Sequence, residues 1–440
     1  MKSLLIGNGA REHAIAEQMA QNSDLYAFMG ANNPGIAELA EETKIGKVND
    51  GKEVLKYALH VDPDYIFFGP EKPLAEGVSD ILLKNELPVV APTSTAARLE
   101  ADKAFCRSLM EEYVPTGHPE FAVCNTKSDI KNALKKFNTE VVVKPAGLTG
   151  GKGVKVQGIH LKDLLEVREY ANEVIDEKIG GSGTVVIEEK LEGEEFTLQV
   201  FTDGKNVVKM PLVQDHKLLL EGDKGPMTGG MGSYSDSNHS LPFVNEKDVE
   251  DALSIMKQTI DGLKKKTDLI YRGVLYGQFM LTKNGPKIIE YNVRFGDPEA
   301  MNVLPLLKTD FSSICMSILE GNLQKADFEK KATVCKYLVP KGYPDKSKIG
   351  GPTKIPVDEK AVKEAGGKLF YASVDKREDG IYTSTSRSLG VVGIADHLGE
   401  AERIAESSVQ NIKTDDLYYR RDVGTRDLIQ ERIDHMQKLR

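Results

Sequence analysis

Short apolar runs alternate with amphipathic segments through the first hundred residues of this chain. The spacing of apolar positions separates candidate strands from candidate helices. The predicted strands are residues 3–6, 25–29, 65–68 and 87–90, and the predicted helices are about 12–22 and 51–60. Strands that alternate with helices are typical of a parallel, doubly wound sheet. The pattern therefore predicts an N-terminal doubly wound parallel α/β domain.

The pattern changes after about residue 93. One helix is predicted over 93–112, and a second near 311–320. Strands over 185–189, 195–201 and 207–213 predict an antiparallel meander, and a further hairpin is predicted over 274–292. From about residue 331 the signals are mixed again. This part predicts a smaller α+β unit.

Composition narrows the possible functions. The length of 440 residues is too large for one ordinary core. The net charge of −9 gives no basic field for nucleic acid, so small ligands or proteins are the expected partners. No targeting segment is visible, and no uncharged apolar run reaches about 18 residues, which predicts a cytoplasmic protein without a membrane span. The cysteines lack metal-site or disulfide-framework spacing: Cys106, Cys124, Cys315 and Cys335.

A valine run at 141–143 leads into a loop that predicts a phosphate cradle. Lys144 ends the predicted strand and Lys152 lies within the loop. Glycines there let backbone N–H groups converge on an anion: Gly147, Gly150, Gly151 and Gly153. The loop is not a Walker A motif, because Ala146 replaces its first glycine and Gly153 its Ser or Thr. The favoured ligand is a nucleoside triphosphate, and the alternative is a flexible connection.

A second glycine turn follows the first predicted strand. Gly7 and Gly9 suit a dinucleotide fingerprint, but Glu12 occupies the place of its third glycine, so NAD binding is a weak hypothesis. A turn before a helix favours an anion, and Arg11 strengthens a phosphate hypothesis. The alternative is a tight turn with a solvated Arg11.

The hairpin at 274–292 predicts a metal site. Side chains of a strand alternate between faces, so Glu290 and Asn292 share a face. A three-residue loop at 283–285, with Gly285 left-handed, would place Gln278 opposite Glu290. Oxygen ligands of this kind suit Mg²⁺ or Mn²⁺ bound to nucleotide phosphates. The alternative is a polar solvent face on an edge hairpin.

Charged residues follow this hairpin directly. Arg294 is expected to hold a transferring phosphoryl group or a carboxylate beside the metal. Asp297 stands before Pro298, so it is an acidic site candidate or the cap of a turn.

Together these segments resemble the phosphoribosylamine–glycine ligase family of the ATP-grasp superfamily. The resemblance spans essentially the whole chain, and residues 232–239 are most similar to archaeal-type members. The matching segments are 7–13, 69–74, 144–153, 188–195, 214–217, 229–232 and 294–299. The segment RFGDPE at 294–299 is specific to the family.

The resemblance implies both an architecture and a reaction. The implied regions are an N-terminal Rossmann-like substrate domain at 1–101, an ATP-grasp domain at 102–330 with a lid lobe at about 120–190, and a C-terminal α+β domain at 331–440. ATP would phosphorylate the carboxylate of glycine, and the amine of 5-phosphoribosylamine would attack the glycyl phosphate. The products would be ADP, phosphate and glycinamide ribonucleotide, for purine biosynthesis. Such chemistry requires positioning and charge neutralisation more than a covalent nucleophile.

The family's functional residues transfer position by position. For ATP they imply Lys103, Lys144, Gly147, Gly150, Gly151, Lys152, Gly153, Glu188, Glu189, Leu191 and Glu195. For the metal, Mg²⁺ or Mn²⁺, they imply Gln278, Glu290 and Asn292. For the substrates they imply Gly7, Gly9, Arg11, Glu71, Asp215, Gly229, Gly230, Arg294, Asp297 and Arg387. Catalytic roles are expected for Lys144, Asp215 and Arg294, in a monomer or small homo-oligomer.

The chain departs from the family pattern at three places, one of them a pair of residues. Leu218 replaces a common arginine, Met227 replaces a common asparagine, and Thr385-Ser386 replaces a Gly-Gly pair. Leu218 and Met227 lack the hydrogen-bonding groups of the usual residues, so they bear on substrate recognition. The alternative function is therefore an ATP-grasp carboxylate–amine ligase with another amine or carboxylate.

Overall fold

An open parallel sheet with helices on both faces forms the N-terminal part. The computed structural model describes residues 1–149, 153–412 and 415–440. All five strands are parallel, in the order β3-β2-β1-β4-β5. This confirms the predicted doubly wound domain. Its elements are β1 Lys2–Ile6, α1 Ala10–Met19, β2 Asp24–Met29, α2 Pro34–Leu39, β3 Glu42–Ile45, α3 Gly51–Val61, β4 Tyr65–Phe68, α4 Glu71–Ala75, α5 Val78–Lys84, β5 Val89–Val90 and α6 Ser94–Ala101.

Two local features of this region differ from the prediction. The edge strand β3 was not predicted, because its largely exposed sequence Glu-Thr-Lys-Ile carries no apolar alternation. The prediction of a single helix over 93–112 is wrong, because the helix is interrupted at Asp102, whose backbone is extended. The Asp102 side chain accepts a hydrogen bond from the N–H of Phe105 at 3.0 Å and caps a second helix. That helix begins at Lys103.

The middle region contains two four-stranded antiparallel sheets with their helices, a separate two-stranded hairpin, and two strands that join the sheet of the C-terminal part. The lid sheet has the order β6-β9-β7-β8, and the hairpin sheet has the order β11-β10-β16-β17. The elements in chain order are α7 Lys103–Tyr113, β6 Phe121–Cys124, α8 Lys127–Leu134, β7 Val141–Pro145, β8 Lys155–Val156, α9 Leu164–Asp176, β9 Val185–Glu189, β10 Glu194–Thr202, β11 Val207–Lys209, β12 Gln214–Asp215, β13 Leu218–Leu220, β14 Lys224–Met227, β15 Gly232–Ser235, α10 Glu246–Thr267, β16 Gly273–Thr282 and β17 Gly285–Asn292.

The chain passes from one sheet to the other between β9 and β10. The predicted meander is therefore wrong in its first strand, because β9 pairs with β6 and β7 and not with β10. Gly193 in the connection has φ +153°, and a Cβ there would collide with the carbonyl oxygen of Leu281. Only glycine fits this crossing point.

The C-terminal part adds a mixed unit whose main sheet extends into the middle region. Strands β12 and β15 join that sheet, which has the order β12-β15-β18-β23-β20, with β24 paired to β18. The predicted boundary at 330 stays a prediction. The elements are α11 Glu299–Val303, a 3-10 turn Leu304–Leu306, α12 Phe311–Glu320, β18 Ala332–Pro340, a 3-10 turn Lys346–Lys348, β19 Lys354–Ile355, α13 Glu359–Glu364, β20 Gly367–Tyr371, β21 Val374–Arg377, β22 Gly380–Thr383, β23 Leu389–Ala395, α14 Leu398–Gln410, β24 Leu417–Tyr418 and α15 Arg426–Leu439.

Apolar side chains connect these regions into shared cores. One large cluster runs from Leu4 on β1 and Val54 on α3 to Phe196 on β10. The lid sheet has its own small core around Val143 and Ile187. All four cysteines are buried and free. Within the described residues, every helix is too short or too polar to cross a membrane.

Candidate active site

A cavity of about 640 Å³ opens between the lid sheet and the hairpin sheet. Among its lining residues are Arg11, Glu71, Lys103, Lys144, Glu188, Glu189, Leu191, Glu195, Asp215, Gly229, Glu290, Asn292, Arg294, Asp297 and Arg387. The fold thus brings most of the residues predicted from the sequence into one cleft. The lining does not include Gly7, Gly9, Gly147, Gly153, Gly230 and Gln278. The remaining predicted residues, Gly150, Gly151 and Lys152, lie outside the described part of the chain.

A buried group of charges lies where the lid sheet meets the cleft. Lys144 Nζ on β7 lies 2.7 Å from Glu188 Oε2 on β9. Arg107 on α7 holds the same carboxylate, with Nε 2.6 Å from Oε1. Burial alone would raise the pKa of Glu188, but Arg107 and Lys144 lower it to about 2. The carboxylate is therefore ionised and fixes both cations in place.

The turn of the β16–β17 hairpin corrects the predicted loop length. Thr282 pairs with Gly285, so the loop has two residues and not three. Thr282 Oγ1 stabilises the turn by donating to the carbonyl of Gly285 at 2.8 Å and accepting from the N–H of Asn284 at 3.1 Å. Gly285 is left-handed as predicted, with φ +101°.

A bulge at Ile289 restores the predicted partner of Glu290. The register shifts between Gln278 and Phe279, so Gln278 lies opposite Glu290 and Ile289 is left without a strand partner. The carbonyl of Ile289 instead accepts from Arg107 Nη2 at 2.7 Å and from Lys144 Nζ at 3.1 Å. The bulge thus connects the hairpin to the cationic group of the lid.

The predicted metal residues differ in how far they are available. Burial would raise the pKa of Glu290, yet the surrounding cations hold it below its usual value: Lys217, Lys144, Lys103 and Arg294. Gln278 is fully buried, and its Oε1 accepts from the hydroxyls of Thr197, at 2.9 Å, and Tyr276. In the described residues no three His, Cys, Asp or Glu side chains are grouped to hold a metal. One ionised carboxylate beside amide oxygens still fits a hard cation.

The predicted phosphate contacts approach the cleft from α7 and from the glycine loop. Lys103 Nζ donates to the carbonyl of Gly147 at 3.1 Å, and the Lys103 N–H donates to that of Ala146 at 2.8 Å. Burial lowers the pKa of Lys103, and the neighbouring Lys144 adds to this effect. A Cβ at Gly147 would collide with the carbonyl oxygen of Gly180. The start of the loop is therefore packed closely against the segment that leads into β9.

The wall opposite the lid carries the predicted sugar contact. Glu195 Oε2 accepts from Gln278 Nε2 at 2.8 Å and from Lys217 Nζ at 3.2 Å. Glu189, at the end of β9, is held by Lys287 at 2.6 Å. Leu191, which lies between Glu189 and Glu195 in the sequence, also lines the cleft.

Arg294, a predicted substrate contact, lies in the cleft between two carboxylates. Its Nη2 lies 2.9 Å from Glu100 Oε1, and its Nε lies 3.3 Å from Glu71 Oε2. The same Nη2 donates to Asn292 Oδ1 at 3.1 Å. Burial raises the pKa of Glu100 to about 7, although Arg294 opposes this shift. Arg294 is thus fixed in orientation beside the predicted metal residues.

The side chain of Glu12, on the helix that follows the N-terminal glycine turn, packs against this turn. Glu12 Oε2 accepts the N–H of Gly9 at 2.5 Å, and Glu12 Oε1 accepts from Arg11 Nε at 2.6 Å. The Glu12 side chain lies so close to Gly7 and Gly69 that a Cβ at either residue would overlap it. The position of the Glu12 side chain therefore explains why Gly7 and Gly69 are glycines. Glu12 also already accepts the N–H of Gly9, which a bound anion would otherwise use.

Asp215 lies deep in the cleft beside Lys217. Its Oδ1 accepts from Gln278 Nε2 at 3.3 Å, and its Oδ2 lies 3.9 Å from Lys217 Nζ. Burial raises the pKa of Asp215 to about 7, although Lys217 opposes it. The pKa of Lys217 is raised despite its burial, because Asp215 and Glu195 face it.

Arg387 brings the C-terminal part to the rim of the cleft. Its Nη2 lies 2.8 Å from Asp297 Oδ2, and its Nη1 donates to the carbonyls of Gly229 at 2.6 Å and Gly230 at 3.0 Å. The hydroxyl of Tyr337 donates to Asp297 Oδ1 at 2.6 Å. Asp297 is therefore part of a partly buried network of hydrogen bonds and more than a simple turn cap.

Sequence comparison decides the family. Models of the phosphoribosylglycinamide synthetase N domain, ATP-grasp (A) domain and C domain match residues 1–100, 101–300 and 333–426. The chain belongs to the phosphoribosylglycinamide synthetase family. The resemblance stated from the sequence is confirmed.

Relatives of this family align over the whole chain. Phosphoribosylamine–glycine ligase of Methanothermobacter thermautotrophicus is 50% identical over 440 residues, covering 100% of both chains. The Thermococcus kodakarensis protein of the same name is also 50% identical, again over 100% of both. A solved phosphoribosylamine–glycine ligase from Thermotoga maritima is 29% identical, covers 96% of this chain and 100% of its own, and gives a TM-score of 0.82.

More distant structures share the fold alone. The biotin carboxylase domain of the Hydrogenobacter thermophilus 2-oxoglutarate carboxylase has a TM-score of 0.73 at 15% identity, covering 99% of this chain and 93% of that one. That structure was solved in complex with MgADP, ADP and bicarbonate. The predicted fold class, with central ATP-grasp lobes, is confirmed.

Two of the departures from the phosphoribosylglycinamide synthetase pattern are neighbours in space. Leu218 on β13 pairs directly with Met227 on β14. Met227 lines the cleft and Leu218 does not, so one apolar residue of the pair lies in the wall and the other lies directly beside it. Nothing in the structure explains Thr385-Ser386.

Several residues that contact the predicted site were not singled out from the sequence, among them Arg107, Glu100 and Lys217. Arg107 and Glu100 each bind a predicted site residue, and Lys217 lies among four carboxylates. Arg107 stands four residues after Lys103, which is a helix-face spacing that could have indicated it. Glu100 carries no such signal, because its partner Arg294 is 194 residues away.

Proposed function

We propose that this protein joins glycine to 5-phosphoribosylamine in an ATP-dependent ligation. The products are glycinamide ribonucleotide, ADP and phosphate, and the reaction belongs to de novo purine biosynthesis. The observation that carries this proposal is the cleft itself, in which Glu290 is surrounded by four cations, one of them Arg294, whose guanidinium also binds Asn292. Such a site suits a triphosphate, a divalent cation and a reacting carboxylate. Relatives 50% identical over the full chain carry the name of this reaction.

ATP would lie between the two sheets. Lys103 and Lys144 would bind the phosphates, together with the glycine loop. The segment of Glu188, Glu189 and Leu191 would hold the adenine, and Glu195 would bind the ribose. Because Glu188 fixes Lys144 before ATP arrives, little ordering of this lysine is required on binding.

The metal would be held by Glu290, Asn292 and Gln278. Mg²⁺ or Mn²⁺ bound there supplies charge neutralisation for the phosphates. The Gln278 oxygen would have to exchange its bonds from Thr197 and Tyr276 to join this set.

The other task of the site would be to position the two substrates, glycine and 5-phosphoribosylamine. Arg294 would hold the carboxylate of glycine and then the transferring phosphoryl group, because Glu71 and Glu100 keep its guanidinium in one orientation. An oxygen of the glycine carboxylate forms a bond to the γ-phosphorus of ATP while the bond from that phosphorus to the β,γ-bridging oxygen breaks, and ADP leaves. The amine nitrogen of phosphoribosylamine then forms a bond to the carbonyl carbon and gives up a proton to water, the bond from that carbon to the phosphate oxygen breaks, and phosphate leaves. Asp215 would orient this amine. Arg11, Glu71, Gly229, Gly230, Asp297 and Arg387 would line the rest of the substrate site.

The test is phosphate release with defined substrates. The protein is incubated with ATP, Mg²⁺, glycine and freshly prepared phosphoribosylamine, with each component omitted in turn. We expect release that requires both acceptors, together with formation of glycinamide ribonucleotide. Release that continues without glycine would favour a ligase for another carboxylate, which is the alternative that the Leu218–Met227 pair motivates. Repeating the assay with Mn²⁺ compares the two metals, and sedimentation of the same sample distinguishes a monomer from a small homo-oligomer.

A further inference from the structure

The C-terminal helix α15 packs against the nucleotide-binding half of the molecule. Ile429 and Met436 on α15 belong to the same apolar cluster as Phe196 of β10. The core of the C-terminal unit, around Leu338 and Val391, is a separate cluster. The family models end at residue 426, so all but the first residue of α15 lies beyond them. The helix therefore contacts the cleft region without belonging to its sheets.

Arg432 on this helix binds two different walls of the cleft. One end of its guanidinium contacts Asp223, in the turn between β13 and β14. Its Nε lies 3.4 Å from Glu194 Oε2 on β10, which is an ion pair and not a hydrogen bond. His435, one turn later, lies with Nδ1 2.5 Å from Glu194 Oε1. The Arg432 side chain is 18% exposed, so the contacts are largely shielded from water.

One partner of Arg432, Glu194, is adjacent in sequence to a predicted ligand contact. Glu194 is the first residue of β10, and the next residue is Glu195, which lines the cleft. Successive strand side chains point to opposite faces, so holding Glu194 on one face fixes the direction of Glu195 on the other.

The second wall is the β13–β14 hairpin, which ends in the cleft at Met227. Its turn is anchored mainly from the C-terminal segment. Arg420 Nη1 lies 2.5 Å from Asp223 Oδ1, and the N–H of Gly222 donates to Asp422 at 2.9 Å. Asp223 itself has φ +50°, a conformation that non-glycine residues adopt rarely. Asp223 is thus held in place by its charged partners.

We propose that Arg432 is a positioning residue for the nucleotide. By binding Glu194 and Asp223 together, it sets the distance between the strand that carries Glu195 and the hairpin that carries Met227. The C-terminal helix thereby contributes to ATP affinity without touching ATP. This inference rests on the proposed function only because it requires that the protein binds ATP. It does not depend on whether the other substrates are glycine and 5-phosphoribosylamine.

The test is nucleotide binding by full-length Arg432→Gln, measured by calorimetry with a non-hydrolysable ATP analogue and Mg²⁺. We expect the Kd to rise about 3- to 30-fold, the range for a residue that acts through its neighbours. KM for ATP should rise by a similar factor, while KM for glycine stays within about twofold. Arg432→Lys keeps the charge but loses the forked N–H donors of the guanidinium, so its Kd should lie between those of the wild type and of Arg432→Gln. Arg426→Gln, an exposed arginine on the same helix, is the matched control.

The outcomes separate positioning from general loosening. A Kd unchanged in Arg432→Gln would overturn the proposal, and so would an equal rise of KM for ATP and for glycine. If Arg432→Gln does not fold, Arg432→Lys carries the test, and a wild-type Kd in that variant contradicts a role for the fork. Tight nucleotide binding by the wild type without glycine-dependent turnover would refute the proposed function while leaving this inference open to the same measurement.

Discussion

Lys144 and Glu188 lie on neighbouring strands of the lid sheet, with Nζ 2.7 Å from Oε2 and both side chains at least nine-tenths buried. The lysine is thus held in place by a carboxylate from within the protein. Because Glu188 also binds Arg107 at 2.6 Å, it stays paired when the lysine is removed. An unpaired buried charge, which would be strongly destabilising, is avoided.

Lys144→Ala should therefore abolish most activity and leave the fold intact. We expect kcat/KM for ATP to fall by roughly 100-fold, as for the loss of one preorganised charge contact to a reacting group. Steady-state kinetics and circular dichroism measure the two effects. Lys162→Ala is the control, because the Lys162 side chain is 88% exposed on the lid. Undiminished turnover in Lys144→Ala would contradict the assigned role.

Glu290→Gln should weaken the response to Mg²⁺. The substitution keeps the shape but removes the one carboxylate of the predicted metal set, leaving four cations that repel the ion. We expect the Mg²⁺ concentration for half-maximal activity to rise at least about tenfold. A titration of Mg²⁺ at fixed ATP measures this value, with exposed Glu111→Gln as the control. An unchanged midpoint would place the metal elsewhere.

Gly147→Ala should disturb the start of the glycine loop. The added methyl group would collide with the backbone of Gly180, so the loop and Lys103, which binds the Gly147 carbonyl, must shift. Displacement of catalytic groups by about 1 Å costs on the order of 100-fold in rate, so we expect kcat/KM for ATP to fall about 10- to 100-fold. Gly350→Ala is the control, since its Cβ meets no atom within 4 Å. Equal kinetics for both variants would exclude this packing as a constraint.

His13 should make stability depend on pH. Burial lowers the pKa of His13 to about 4, with Lys368 adding to the effect, and its Nδ1 accepts the N–H of Tyr371 at 3.0 Å. The unfolded chain therefore binds more protons between about pH 6.5 and 4, so stability is lost as the pH falls through this window. We expect a loss of about 2 kcal/mol from pH 7 to pH 5 through this group.

Urea unfolding of His13→Asn checks this expectation. The variant should be less stable at pH 7, and its free energy of unfolding should change less between pH 7 and pH 5 than that of the wild type. His60→Asn, at an exposed position on α3, should keep the wild-type slope. An identical slope in His13→Asn would assign the pH dependence to other groups.

Much of the local structure could be predicted because it depends on short-range periodicity. The apolar runs predicted four of the five strands of the N-terminal sheet, and β7 begins at Val141 as the valine run predicted. Alternation along β17 was enough to place Glu290 and Asn292 on the cleft side, where both are found. The break at Asp102 was missed, since an aspartate within an otherwise helical pattern is a weak signal for a new cap.

The sequence by itself determined which segments carry the chemistry: the glycine loop after Lys144, the acidic hairpin at Glu290 and the family to which they belong. Only the tertiary structure decided which contacts hold these segments together in one site. The bulge at Ile289 exists because its carbonyl binds two cations from other elements, and Glu188 is fixed by Arg107, which is 81 residues away. Such contacts depend on the pairing of distant strands and on shared burial, which no local pattern of residues records.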